Sequence, residues 1–242
     1  MFSRLGEIRE QVLGYIYPPK CIACDKITDL HDGKYVCSDC KEFFKYIDGE
    51  TCRSCGVSGT YKNGVCKNCK NNLFTRNVPI FVYDGMVQEI IHRFKYGKQS
   101  YLHRGIGSLM LKKLLKTPNL FDNLHYIAPV PIHKNRMKQR GFNQAELLAK
   151  EISKASEIPM IKNLIIRIKD TKPQAQLSVA ARENNLKDAF IANRRYELEK
   201  KNILLVDDIY TTGSTLNACC KVLHEAGATN VVVTTFSITS KK

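Results

Sequence analysis

Alternating apolar and amphipathic stretches, from about residue 77 onward, predict a regular succession of strands and helices. Continuous apolar runs favour strands over residues 77–83, 126–131, 164–168, 203–206 and 230–238. Apolar residues at helical spacing favour helices over residues 86–94, 102–115, 144–153 and 217–226. Because strands and helices alternate, we predict an α/β fold with a mostly parallel sheet and helices on both faces.

The strand predicted over residues 203–206 is followed by Asp207, Asp208 and a turn rich in hydroxyl groups. That turn contains Thr211, Thr212, Gly213, Ser214 and Thr215. A strand-to-helix turn aims backbone N–H groups at an anion, and glycine lets the backbone approach a phosphate closely. Two carboxylates at the end of the strand can accept hydrogen bonds from vicinal ribose hydroxyls. The pattern favours a phosphorylated sugar as ligand, and the alternative is an ordinary helix N-cap.

A basic cluster follows the strand predicted over residues 126–131. Lys134, Arg136 and Arg140 lie just beyond its carboxyl end, the edge at which α/β sheets place ligands. These side chains can neutralise a pyrophosphate, and Gly141 is expected to open the helix that begins near Asn143. Residues 93–140 as a whole carry eleven Lys and Arg against one acid, Asp122, which suits either a pyrophosphate or a nucleic-acid backbone.

Eight of the ten cysteines form four Cys-x-x-Cys pairs in the first 75 residues. The pairs are Cys21/Cys24, Cys37/Cys40, Cys52/Cys55 and Cys66/Cys69, separated by 12, 11 and 10 residues. Each pair can present two thiolates to one ion, and four sulfur ligands favour two structural zinc ions. Consecutive pairs would form two sequential ribbons, whereas interleaved pairs would form a cross-braced module. Disulfides and iron–sulfur ligation are the competing interpretations.

Cys219 and Cys220 stand apart from these pairs. They fall in the helix predicted after the hydroxyl-rich turn and are expected to pack inward as small apolar side chains.

Charge composition also distinguishes the cysteine-rich part of the chain from the rest. The net charge is +15 overall, but the first 75 residues carry 11 Lys and Arg against only 9 acids. The cysteine-rich part therefore lacks the charge of a DNA-binding zinc finger.

Several classes of protein are disfavoured by the sequence. No apolar run approaches the roughly 20 residues of a membrane span, and residues 1–20 lack the apolar core of a signal peptide. We therefore expect a cytoplasmic protein without a transmembrane segment. The Walker A pattern of nucleotide hydrolases is missing too. The composition change predicts two domains, residues 1–75 with the double zinc ribbon and residues 76–242 with the sheet.

Residues 203–215 resemble the signature with which type I phosphoribosyltransferases bind 5-phosphoribosyl 1-pyrophosphate (PRPP). The resemblance implies that Asp207 and Asp208 bind the ribose hydroxyls as candidate catalytic residues, while residues 211–215 bind the 5′-phosphate. It also implies Mg²⁺ bound together with PRPP. The fold implied is the phosphoribosyltransferase sheet, preceded by a small zinc-ribbon domain.

A second resemblance covers nearly the whole chain. The stretch Arg140-Gly141-Phe142-Asn143-Gln144, together with Lys95-Tyr96-Gly97 and the cysteine ribbons, is similar to the ComF (ComFC) family. That family is associated with natural competence and the use of imported DNA. By position, residues 131–136 would form the pyrophosphate loop and residues 169–182 a mobile loop that closes over the site.

The resemblance implies a PRPP-binding phosphoribosyltransferase-like protein that salvages nucleotides or nucleobases from imported DNA. Two other functions remain open. One is a non-catalytic competence adaptor that binds single-stranded DNA and works with the competence helicase machinery, which the basic cluster favours. The other is a regulator that senses PRPP without turning it over. The sequence does not identify the acceptor substrate.

Overall fold

The structure is a computed structural model that describes residues 18–28, 35–69, 72–171, 186 and 188–239. Its helices are α1 (Ser38–Lys41), α2 (Gly85–Tyr96), α3 (Leu102–Leu115), α4 (Lys134–Arg140), α5 (Gln144–Ser156) and α6 (Ser214–Glu225), with a 3-10 turn at Lys67–Cys69. Its strands are β1 (Arg76–Val82), β2 (Tyr126–Pro129), β3 (Ile165–Arg167), β4 (Phe190–Ala192), β5 (Asn202–Tyr210) and β6 (Asn230–Ile238).

The main sheet has four parallel strands in the order β1-β6-β5-β2. Its central strands are almost entirely buried, as expected of parallel strands covered on both faces. On one face pack α2, α3 and α5, through residues such as Phe94, Ile106 and Leu148. On the other face pack α6 and the second cysteine group, with Phe74 and Leu216 among the core residues. The predicted α/β fold with helices on both faces is confirmed.

The prediction that β5 ends at Val206 is wrong. The strand continues through both aspartates to Tyr210, because its backbone still pairs with β6 at Asp207↔Thr235 and Tyr210↔Ile238. The following helix was expected from residue 217 but begins at Ser214. Its first turn carries hydroxyl side chains rather than apolar ones, so the hydrophobic period starts only at Leu216.

A short helix, α4, occupies part of the predicted pyrophosphate loop. None of its residues is buried, so the sequence shows no apolar periodicity from which this helix could be predicted. Gly141, expected to open the next helix, instead closes α4 with a left-handed φ of 82°. Asn143 caps α5, and its side chain accepts a hydrogen bond from the amide of Ala145 at 3.1 Å.

The strand predicted over residues 164–168 does not join the main sheet. It forms β3, which pairs antiparallel with β4 in a separate two-stranded sheet. β4 was not predicted, because three residues are too short for a recognisable alternation. The two strands flank the segment predicted to be a mobile loop, of which residues 172–182 lie outside the described residues. The domain boundary at residue 75 stays a prediction.

Candidate functional site

The hydroxyl-rich turn lies where β5 passes into α6. Gly213 adopts a left-handed φ of 83° directly before the helix, and its carbonyl accepts the first helical hydrogen bond from the amide of Asn217 at 2.8 Å. Thr212 Oγ1 lies 2.8 Å from Ser214 Oγ and accepts a hydrogen bond from the Ser214 amide at 3.4 Å. The first amides of a helix lack intrahelical partners and carry partial positive charge. The turn therefore combines helix N-terminal amides with hydroxyl side chains, the groups that anion-binding turns use.

Only glycine fits at position 213. A Cβ there would lie 2.7 Å from the hydroxyl oxygen of Tyr210, whose side chain is 1% exposed at the end of β5. The ring of Tyr210 thus packs against the turn from the buried side. The sequence predicted the glycine from its permissive backbone, whereas the structure adds the close approach of Tyr210 as a second reason.

The two aspartates have different surroundings. Asp208 is 4% exposed, and its Oδ2 lies 2.9 Å from the ammonium group of Lys95 in α2. Asp207 is partly exposed, and its Oδ1 accepts a hydrogen bond from the Asp208 amide at 2.8 Å. The surrounding protein desolvates the Asp207 carboxyl and Asp208 repels its charge, so its pKa is raised to about 7 although Lys95 acts in the opposite direction.

Three arginines, Arg136, Arg140 and Arg167, interact electrostatically with one another or with Asp207. Arg136 is half-buried and donates a hydrogen bond to the Thr171 carbonyl at 3.0 Å. Burial and the charge of Arg140 lower the pKa of Arg136. Burial, followed by the charge of Arg136, lowers the pKa of Arg167 in β3 to about 10, and Arg167 also interacts electrostatically with Asp207. The cluster is thus a region of concentrated positive charge next to a carboxylate pair.

The predicted pyrophosphate ligands are only partly brought together. The guanidinium of Arg140 stacks 5.0 Å from the centre of the Tyr96 ring and donates a hydrogen bond to Gln144 at 3.2 Å. Lys134 is exposed on the first turn of α4 and forms no ion pair within the described part of the chain. Arg136 and Arg140 therefore belong to the cluster in this structure, whereas Lys134 stands at its outer edge.

Sequence reasoning missed two residues of this site. Lys95 was placed only in the basic stretch of residues 93–140 and in the family motif, but it is the ion-pair partner of Asp208. Arg167 lies on a three-residue strand in which no motif distinguished it. The signal for Lys95 was its place beside Tyr96 and Gly97, since all three residues belong to a motif of the resembling family. For Arg167 the sequence offers no comparable signal.

His133 has a structural role at this edge of the sheet. Its Nδ1 accepts a hydrogen bond from the Asn135 amide at 3.3 Å and so caps α4. The same ring nitrogen lies 3.4 Å from Asp170 Oδ1, and Asn135 also donates to Asp170. These contacts connect the start of α4 to Asp170, the second residue of the predicted mobile loop.

The eight paired cysteines form two groups of four. Cys21, Cys24, Cys37 and Cys40 make the first group, and Cys52, Cys55, Cys66 and Cys69 the second, with all sulfur atoms of a group within 4.8 Å of one another. Sγ–Sγ distances of 3.3 Å, 3.6 Å and 3.8 Å lie at or somewhat below the edge of about 3.8 Å that a tetrahedron of 2.3 Å zinc–sulfur bonds would have. The groups are sequential, which decides against the cross-braced arrangement.

Backbone amides prepare each group to hold metal. The amide of Cys66 donates to Cys52 Sγ at 3.2 Å, and that of Cys37 donates to Cys21 Sγ at 3.4 Å. Burial alone would raise the pKa of Cys52, but amide donors outweigh it and lower the pKa to about 7. Desolvation raises the pKa of Cys69 in the same group, so the fit to a four-sulfur zinc site rests on the clustering of the sulfur atoms and their amide donors. Cys219 and Cys220, in contrast, are fully buried on α6, as predicted.

Comparison with known proteins finds a matching family model for each of the two parts of the molecule. A family model described as a double zinc ribbon domain matches residues 12–77, and one described as a phosphoribosyl transferase domain matches residues 138–240. Competence protein F of Haemophilus influenzae is 33% identical over 220 residues, which span 88% of this chain and 94% of that protein. The chain belongs to the ComF family.

Other relatives bear names from the same area of biology. Competence protein ComFC of Bacillus subtilis is 28% identical over 88% of this chain and 92% of its own length. DNA utilization protein YhgH of Escherichia coli K12 is 30% identical over 82% of this chain and 88% of its own length. This ComF family member therefore combines a double zinc ribbon with a phosphoribosyl transferase domain. None of its described helices has the length and apolar character that a membrane span requires.

Proposed function

We propose that this ComF family member binds PRPP with Mg²⁺ and transfers its phosphoribosyl group to an acceptor. The observation that carries the proposal is the placement of Asp207 and Asp208 directly before the turn at the N-terminus of α6, with Lys95 and Arg167 beside the acids. The match to the phosphoribosyl transferase domain supports it independently.

The turn would bind the 5′-phosphate. Residues 211–215 offer helix N-terminal amides and four hydroxyl side chains, and Gly213 keeps the backbone free of a Cβ. Fixing the phosphate at this point places the ribose against the end of β5. Asp207 and Asp208 then accept hydrogen bonds from the ribose hydroxyls, and Lys95 keeps the charge of Asp208 compensated in its buried position.

Mg²⁺ would neutralise the pyrophosphate and orient it relative to the ribose. Carboxylate oxygens are the ligands that this hard cation prefers, so Asp207 and Asp208 are the fitting donors in the chain. The raised pKa of Asp207 suits such a role, because a bound cation would favour its ionised form.

In the transfer step, the bond between ribose C1 and the pyrophosphate oxygen breaks and the pyrophosphate leaves with the electron pair. A nitrogen lone pair of the acceptor forms the new bond at C1, and the acceptor releases a proton to solvent. Arg136, Arg140 and Arg167 stabilise the charge that develops on the leaving group, and Lys134 adds to this at the rim. Closure of residues 169–182 would exclude water from the reactive sugar.

The names of the relatives suggest where such a reaction would be used. They refer to competence and to DNA utilization. We propose that the protein acts in the cytoplasm on nucleobases released from imported DNA and returns them to the nucleotide pool.

Calorimetry with PRPP and Mg²⁺ tests the binding site. We expect the Asp207→Asn, Asp208→Asn double variant to lose at least 100-fold in affinity, because it removes both carboxylates, while zinc content stays at two per chain. Asp188→Asn is the matched control, since Asp188 is an exposed acid whose carboxylate lies 3.8 Å from Lys169. Equal affinities in the double variant and the wild type would refute the site. Pyrophosphate release, screened against nucleobases and ammonia, then identifies the acceptor.

A second candidate function is binding of single-stranded DNA. Lys98, Lys138 and Arg140 line a surface groove of about 340 Å³ next to Gly141 and Phe142. Its discriminating property is a steep loss of affinity with salt, because each neutralised phosphate releases counterions. A Lys98→Gln, Lys138→Gln variant should flatten that dependence without affecting PRPP binding. Lack of DNA binding by the wild type at low salt would rule the candidate out.

A further inference from the structure

The second ribbon is joined to the helix that carries the phosphate-binding turn. We infer that the second ribbon acts through Asn72 and Asn217 as positioning residues that hold residues 211–217 in the conformation that receives the phosphate. This inference rests on the proposed function for its ligand and goes beyond it in assigning a role to the ribbon.

A chain of side-chain hydrogen bonds makes the connection. Ser54 lies inside the Cys52-x-x-Cys55 pair and is 8% exposed. Asn72 Nδ2 donates to Ser54 Oγ at 2.8 Å, and Asn217 Nδ2 donates to Asn72 Oδ1 at 3.1 Å. The amide of Asn217 in turn donates to the carbonyl of Gly213 at 2.8 Å. Three consecutive hydrogen bonds thus lead from the metal-binding pair to the glycine of the turn.

Backbone contacts strengthen the same connection. Asn217 Oδ1 accepts a hydrogen bond from the amide of Leu73 at 2.9 Å. The oxygen and the nitrogen of the Asn217 side chain are therefore both hydrogen-bonded to residues 72–73, which follow the second ribbon. Farther along α6, His224 Nε2 lies 2.8 Å from the carbonyl oxygen of Leu73. Two points of attachment on one helix fix its position along the ribbon as well as its distance from it.

The ribbon also supports the turn from beneath. Phe74 follows the attached segment and packs edge-on against Tyr210, with ring centres 6.2 Å apart. Tyr210 is the residue whose hydroxyl lies directly under Gly213. Because Phe74 and Tyr210 are almost fully buried, a shift of the ribbon would be transmitted to the turn through packing.

Asn72→Ala and Asn72→Asp form a matched pair for the test. Alanine removes both side-chain contacts, whereas aspartate can still accept from Asn217 Nδ2 and from the Ser54 hydroxyl. We expect Asn72→Ala to bind PRPP about tenfold more weakly, which corresponds to about 1.4 kcal/mol, with zinc still at two per chain. Amide hydrogen exchange in residues 211–217 should rise about tenfold, and Asn72→Asp should restore both quantities. A residue important only for general stability would not produce exchange confined to the turn.

Asn217→Ala provides a second variant, remote from the cysteines, should Asn72→Ala lose zinc, and the same readouts apply to it. Unchanged exchange at residues 211–217 in the zinc-replete variants would overturn the inference, as would an aspartate variant that behaves like alanine. If wild-type protein does not bind PRPP at all, the proposed function fails, and the exchange measurement alone still decides whether the ribbon holds the turn.

Discussion

The two ribbons share the same cysteine spacing but stand in different relations to the candidate site. In the first, Cys24 is exposed, and the ribbon lies against α2 and α3. In the second, all four cysteines are buried, and the ribbon contacts β5 and α6 around the hydroxyl-rich turn of residues 211–215. The comparison teaches that two copies of one motif can pack against different elements: the first ribbon lies against α2 and α3, and the second lies against the strand and helix that flank the candidate site.

The first ribbon is fastened by one side chain above all. Arg93 of α2 donates to the carbonyl of Ala23 at 2.7 Å and pairs with Asp25 at 2.6 Å. On α3, Gly105 allows the first ribbon to approach the helix closely, because a Cβ at this position would lie 2.4 Å from Ile22. Arg93 therefore attaches the first ribbon to α2, although the sequence placed it in the basic stretch of residues 93–140.

The two ribbons should differ most in the effect that losing their zinc ion has on PRPP binding. Cys55→Ser and Cys24→Ser each remove one sulfur ligand, and each should lower zinc from two to one per chain. Structural zinc binding amounts to on the order of 10 kcal/mol, so we expect Cys55→Ser to lower Tm by at least about 20 °C and to abolish PRPP binding. Cys24→Ser should keep PRPP affinity within about threefold of wild type. Equal losses of PRPP affinity in the two variants would remove the distinction.

A substitution at Gly213 tests the hydroxyl-rich turn directly and leaves every cysteine in place. Gly213 and Gly141 have nearly the same φ, 83° and 82°, but only Gly213 has a neighbour within reach of a Cβ. Gly213→Ala should cost about 3 kcal/mol, since it adds a clash with Tyr210 to the backbone strain, and Gly141→Ala about 1 kcal/mol. Chemical denaturation measures both. A Gly213→Ala protein as stable as Gly141→Ala would mean that Tyr210 does not support the turn.

Loosening the first ribbon should affect stability alone. Arg93→Ala removes hydrogen bonds to a backbone carbonyl and a carboxylate, and we expect a loss of about 2 kcal/mol with PRPP affinity unchanged. Arg93→Lys should recover only part of the loss, because lysine lacks the planar fork of donors. A weakened PRPP affinity in Arg93→Ala would show that the first ribbon also reaches the site.

The smallest expected effect is a pH dependence of ligand binding. The pKa of Asp207 is raised to about 7, so the carboxyl is mostly neutral at pH 6 and mostly ionised at pH 8. Mg²⁺ and ribose hydroxyls favour the ionised form, so PRPP affinity should rise between these values by on the order of tenfold. Asp207→Asn should flatten the profile. A wild-type affinity that is constant over this range would exclude Asp207 as the responsive group.

Regular hydrophobic patterns made parts of this fold predictable from the sequence. The bounds of α3 and β6 agree with the prediction to the residue, because buried apolar side chains recur along their whole length. α4 was missed because every side chain on it is at least partly exposed. β4 was missed because it is short and gains its identity from pairing with β3. Hydrophobic patterns reflect burial, so they do not predict elements that lack a buried face.

Local chemistry was predictable at the site, and long-range pairing was not. The acids and the turn are contiguous in sequence, so their proximity needed no knowledge of the fold. The pairing of Lys95 with Asp208 and the link from Asn72 to Asn217 join distant parts of the chain, and the sequence does not specify which residues meet. The roles assigned to these residues in PRPP binding stay predictions.

A structure of the protein with PRPP and Mg²⁺ is the most direct test of the central claim. We predict the 5′-phosphate against the amides and hydroxyls of residues 211–215, with the ribose hydroxyls on Asp207 and Asp208. A phosphate bound elsewhere, with this turn facing only solvent at saturating PRPP, would contradict the claim.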